Sequence, residues 1–170
     1  NVVGIYNYAL RVLPALPSSQ AKKKLKFLKS ELENKIINRS YTSGFLLGQR
    51  AGENTKQSHG NFKWEFCGVR ISGAGYQVPD NKNQRHQAII RVHNSLKFGD
   101  EIEIVRPDYD IIKMKVQNLI NAETGEEMKE AHGGGSQHVV VLESKEDIPE
   151  HSVVRRKIKN SDLEKPKKQN

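Results

Sequence analysis

The chain has 170 residues, a net charge of +8, 35% hydrophobic residues and one cysteine, Cys67. That length holds one domain of ordinary size plus an appendage, with a modest core. No apolar run reaches the roughly 18 residues needed to cross a bilayer, and a single thiol excludes an internal disulfide.

Residues 1–13 space Val2, Ile5, Ala9, Val12 and Leu13 helically, with Tyr6 and Tyr8 beside them. The pattern predicts a short helix that needs a packing partner. Pro14 and Pro17 end it, and Ser18 and Ser19 stand where a cap for the next helix is expected. Residues 20–37 repeat Ala21, Leu25, Leu28, Leu32 and Ile36 at steps of three and four, which predicts a Lys-rich amphipathic helix packing its leucines on a neighbouring domain. Because the sequence opens with Asn1 inside an apolar helix, it is expected to be a fragment of a longer parent. A cytoplasmic protein is expected, with secretion left open.

An extended, glycine-containing segment follows at 38–48, then a polar linker at 49–60 without apolar anchors. From Asn61 the pattern changes to short alternating runs separated by turn signals. Strands are expected over 62–71, 87–93, 101–105, 111–120, 137–142 and 152–158, with a short return over 127–131. Gly133-Gly134-Gly135 reads as a flexible loop. Gly99-Asp100, between two alternating runs, reads as a tight turn that opens a strand. The fold class expected is mainly β: a small closed antiparallel β-barrel preceded by an N-terminal helical arm. The divisions are 1–48 for the arm and extended segment, 49–60 for the linker, 61–158 for the barrel and 159–170 for a disordered basic tail.

The positive charge is concentrated in the flanks. Residues 20–39 and residues 155–170 each carry a net +5, whereas residues 40–154 carry −3. Solvated faces explain most such runs. The anion-binding candidates are Arg39, Arg91, Arg155, Arg156 and Lys157, because guanidinium forks suit phosphate and carboxylate; with Lys113 and Lys115 they would make one rim basic. His132 and His138 flank the glycine loop and are weak candidates as metal ligands. Glu101 and Glu103 share a strand face and read as surface charges, and Cys67 reads as a buried structural thiol. No catalytic residue and no cofactor is assigned.

Two stretches carry a family resemblance. Asn38-Arg39-x-Tyr41-Thr42-Ser43-Gly44-Phe45 is similar to the Asn-Arg-x-Tyr-Thr-Thr-Gly-Phe segment that follows the main domain in the U-32 family of collagenase-like peptidases. Asn94, then Phe98-Gly99-Asp100-Glu101-Ile102-Glu103-Ile104 and Pro107, resembles that family's C-terminal domain, and Ser152-x-x-Arg155-Arg156 also fits. Tyr41, Gly44, Phe45, Asn94, Phe98, Gly99 and Asp100 are therefore the motif residues. The resemblance implies a translation-factor-like barrel and an N-terminal catalytic domain elsewhere in the parent, which is the expected partner. It implies an accessory domain that binds a protein substrate, collagen being claimed for some members. The alternative is an RNA-binding module, since other members take part in hydroxylating tRNA or rRNA bases. The sequence leaves the oligomeric state open.

Overall fold

The computed structural model describes residues 2–36, 63–76, 86–134 and 136–158. Helix α1 (Val2–Val12) runs into a 3-10 turn at Leu13–Ala15, and α2 (Ser18–Lys35) follows. Pro17 occupies the N-cap of α2, and its carbonyl accepts the N–H groups of Gln20 and Ala21. Ser18 and Ser19 therefore lie within the first turn, and the expected serine cap does not form.

The described β residues make β1 (Trp64–Arg70), β2 (His86–Val92), β3 (Ser95–Lys97), β4 (Glu101–Val105), β5 (Ile111–Lys115), β6 (Ile120–Asn121), β7 (Glu130–Gly134), β8 (Ser136–Gln137), β9 (Val139–Ser144) and β10 (Val153–Lys157). Seven of them form an antiparallel sheet in the order β5-β4-β10-β1-β2-β9-β6, and β3-β7-β8 form a small second sheet. The large sheet curls around Ile90, Val92, Leu96, Ile104, Leu142 and Val154. A bulge between Phe66 and Gly68 sharpens the bend of β1. At Gly68 a Cβ would collide with the Arg91 carbonyl, so only glycine lets β1 and β2 approach this closely.

The protein is thus mainly β, but its sheet is a half-barrel and not the closed barrel expected. β5 and β6 end the sheet, and no pairing joins them among the described residues. The expected single strand over 111–120 explains the gap, because it is broken in the middle. Val116 donates to the Asp100 carbonyl, while Leu119 accepts from Met128. The chain therefore leaves the β4 ladder before Ile120 and Asn121 pair with β9. Gly133 and Gly134 also depart from expectation. They belong to β7, and a Cβ at Gly133 would collide with the His93 backbone.

The helical arm packs on the outer face of the sheet. Ile5 and Leu28 are buried against Val105 and Tyr109, with Leu32 and Ile36 alongside. This is the packing foreseen for the leucine face of α2, whose Leu25 and Phe27 nevertheless stay exposed. Gly4 lets α1 approach the β4–β5 turn: an added Cβ would stand 3.1 Å from the Pro107 carbonyl oxygen.

Candidate functional site

The β3–β4 turn is fixed from several sides. Gly99 has φ +83° and donates its N–H to the Val116 carbonyl at 2.8 Å. A side chain at that φ meets its own backbone, which is why glycine stands there. The Asp100 carboxylate accepts the Lys97 N–H at 2.9 Å and a guanidinium N–H of Arg156 at 2.7 Å. Arg156 also donates to Glu65 and to the Ser95 hydroxyl. Burial disfavours the charge on Arg156, but the hydrogen bonds from its guanidinium to Asp100 and Glu65 outweigh this and raise its pKa. Asn94 donates its amide to the Phe66 carbonyl at 2.6 Å. Asn94, Gly99 and Asp100 therefore shape the turn. Phe98 is left 62% exposed.

Arg155 lies on the opposite face, because neighbouring strand residues point to opposite sides. It is 2% exposed and donates to both Glu31 of α2 and Glu103 of β4. Lys35 bridges the same two carboxylates, and the Tyr109 hydroxyl donates to Glu31 at 3.0 Å. Lys35 and Arg155 both stack over the Trp64 ring. Burial alone would raise the Glu31 pKa, but hydrogen bonds from Lys35 and Arg155 prevail and hold it below the usual carboxylate range. Burial, aided by the charge on Glu31, raises the Tyr109 hydroxyl. Glu103, read from sequence as a surface charge, is buried at the centre of this cluster; Glu101 is exposed.

Arg155 and Arg156 are thus committed to carboxylates of the same chain on opposite faces of β10. That geometry does not present them as one fork to a single anion. Arg91 lies on the face of β2 that carries Ile89, and Lys157 is exposed at the end of β10. Arg39, Tyr41, Gly44 and Phe45 lie outside the described residues. His132 pairs with Glu130 at 2.8 Å, and His138 is half-buried before β9. Among the described residues no group of three His, Cys, Asp or Glu could hold a metal ion. Burial pushes the Cys67 thiol up to about 12, so it carries essentially no thiolate near neutral pH.

Beside the fixed turn opens a recess of about 940 Å³, lined by Phe98, Leu119, Met128, Lys97, Lys129 and Glu130 among others. Sequence inspection selected Phe98 only as a motif residue. The recess forms because the chain swings out between β5 and β6, a path that no local periodicity encodes. Lys97 bonds Glu130 at 2.7 Å and depresses its pKa. The recess therefore has an apolar floor with charges of both signs at its rim.

A curled antiparallel sheet with a helical arm locked to its outer face defines a mainly β class of domain. Residues 75–155 match the family model described as the Peptidase family U32 C-terminal domain. That match spans just under half of the chain. Two solved chains are similar to it, both being the C-terminal domain of a Geobacillus thermoleovorans protein assigned to the U32 peptidases. The selenomethionine form is 21% identical with a TM-score of 0.42, covering 54% of this chain and 99% of that one. The other is 19% identical with a TM-score of 0.43, covering 56% and 93%. No curated protein matches the chain.

Proposed function

We propose that this chain is the accessory part of a U32 protein, holding a protein substrate for a catalytic domain elsewhere in the parent and performing no cleavage itself. The observation that carries the proposal is the exposed Phe98 over the recess, with Leu119 and Met128 behind it. A large aromatic ring held 62% in water by a fixed turn loses apolar exposure when a ligand covers it. The mixed charges of the rim suit a polypeptide better than a polyanion. Denatured collagen tests this. The chain should retain it on a column and leave it intact, and Phe98→Ala should weaken retention without lowering the melting temperature. Cleavage, or retention unaffected by Phe98→Ala, overturns the reading.

One observation favours RNA as a second reading. Lys22, Lys23, Lys26 and Lys29 are exposed along α2, and Lys157 is exposed at the end of β10. Phosphate contacts make affinity fall steeply with salt. Steeply salt-dependent RNA binding would support it, and no binding at low salt would remove it.

A further inference from the structure

We infer that the open edge of β5 is a strand-addition site for an extended polypeptide whose residues alternate acidic and apolar. The inference rests on the accessory reading above and specifies which substrate segment is held and where.

The ladder between β4 and β5 fixes which backbone groups are free. Cα partners run Glu101↔Lys115, Ile102↔Met114, Glu103↔Lys113, Ile104↔Ile112 and Val105↔Ile111. Directly beyond its two ends, Arg106 donates to the Asp110 carbonyl and Val116 to the Asp100 carbonyl, both at 2.9 Å. In an antiparallel pair, hydrogen-bonded and non-bonded positions alternate. The even residues Ile112 and Met114 therefore face β4 with their N–H and C=O. The odd residues Ile111, Lys113 and Lys115 turn theirs outward, where the Ile111 N–H already donates to the Asp110 carboxylate at 3.0 Å. Among the described residues no strand pairs with that edge.

The N–H and C=O of Lys113 and Lys115 and the C=O of Ile111 recur at every second residue, roughly 7 Å apart, and match one class of ligand: another extended backbone. The side chains then set its sequence. Lys113 and Lys115 are exposed on one face, while Ile112 and Met114 face the core on the other. Cross-strand neighbours share a face, so residues beside the lysines should be acidic and those beside Ile112 and Met114 apolar. The chain already contains one strand of this kind. β4 reads Glu-Ile-Glu-Ile-Val and presents its glutamates to the same two lysines from the occupied side. The free edge repeats that pattern towards solvent.

There is also room for such a strand. A cavity of about 260 Å³ lies between β5 and the far end of β9, lined by Ile112, Lys113, Met114 and Lys115 on one side and by Glu143 and Lys145 on the other. Gln117 and Glu143 line both this cavity and the recess at Phe98, so the two adjoin. A polypeptide could lie along β5 and place a side chain under Phe98. The inserted strand would stand where a closed barrel would have its missing wall. Glu143 and Glu146 beside the seam oppose a phosphodiester backbone.

The test uses the whole 170-residue chain and a blocked hexapeptide alternating Glu and Val. Amide hydrogen exchange, resolved by residue, reports which N–H groups become bonded. Saturating peptide should slow exchange at Lys113 and Lys115 and leave Ile111, Ile112 and Met114, already bonded, unchanged. A peptide N-methylated at alternate residues keeps the side chains but loses the backbone donors, and should no longer bind. A Lys/Val peptide should bind about tenfold more weakly than the Glu/Val one, a gap that the double variant K113Q/K115Q closes. Equal binding of the N-methylated peptide, or no change at the Lys113 and Lys115 amides, overturns strand addition. Protection confined to Phe98 and Leu119 would leave the accessory reading standing and remove the seam. Loss of both peptide and denatured-collagen binding would remove both.

Discussion

At residue scale, the two best-determined positions are Gly99 and Arg155, and they fail in different ways. The space around Gly99 is open, since the nearest atom to an added Cβ is the Lys115 side chain at 3.8 Å. What excludes other residues is φ +83°. Alanine there should cost about 1 kcal/mol and valine up to about 3, β-branched residues being the worst tolerated. Comparison of the two melting curves checks this, and equal curves for wild type and Gly99→Val would show that the turn adapts. Arg155 is opposite in kind: its conformation is ordinary and its surroundings are charged. Arg155→Ala leaves Glu31 and Glu103 buried without their main partner, which should cost about 3–5 kcal/mol. The triple variant E31L/E103L/R155M should recover most of that loss, because an apolar replacement removes the desolvation cost along with the attraction. Chemical denaturation of the two variants distinguishes a charge-pairing role from simple packing.

At the scale of elements, sequence patterning located most strands to within a few residues. β4 was legible in full, because Glu-Ile-Glu-Ile-Val alternates and glycine and proline bracket it. What was not legible was how elements meet. In the run 111–120 the alternation of Ile112, Met114 and Val116 stops at the polar pair Gln117-Asn118, and a single strand drawn through to Ile120 runs across that break. Arg155 and Arg156 looked like a free anion fork because their partners, Glu31 and Asp100, are 124 and 56 residues away in sequence. Gly133 looked flexible because the His93 backbone that closes on it lies just past β2, far off in sequence. The ion cluster has a consequence for α2. Glu31 is held below its ordinary value, so its contribution to stability is complete above the unfolded carboxylate pKa and is lost as pH falls through the lower folded value. Acidification below about pH 4.5 should therefore loosen α2 from β4. Trp64 carries Lys35 and Arg155 on its ring, so its fluorescence reports this step. Glu31→Gln should show no such acid step, and an unchanged one would assign it to another group.

At the scale of the whole molecule, the helical arm and the half-barrel form one packing unit. Ile5 and Leu28 share a buried cluster with Val105 and Tyr109, and the charges of α2 interlock with those of β4 and β10. Tyr109 is held at φ 64°, a conformation that costs energy in a non-glycine residue and persists only where its surroundings enforce it. That enforcement comes from both sides: the Arg106–Tyr109 turn and the bond to Glu31. An arm that stabilises the β4–β5 hairpin also stabilises β5, whose outer edge is the proposed strand-addition site. The arm should therefore not melt before the sheet. Helical circular dichroism and Trp64 fluorescence should give one coincident thermal transition in the native chain. Weakening the latch by Tyr109→Phe and Lys35→Met should separate them, the helix signal falling first, while amide exchange at Ile112 and Met114 accelerates. Separate transitions in the native chain would mean that the arm is only appended to the sheet. Coincident transitions in the double variant would mean that the apolar contacts of Ile5 and Leu28 hold the arm without the charges.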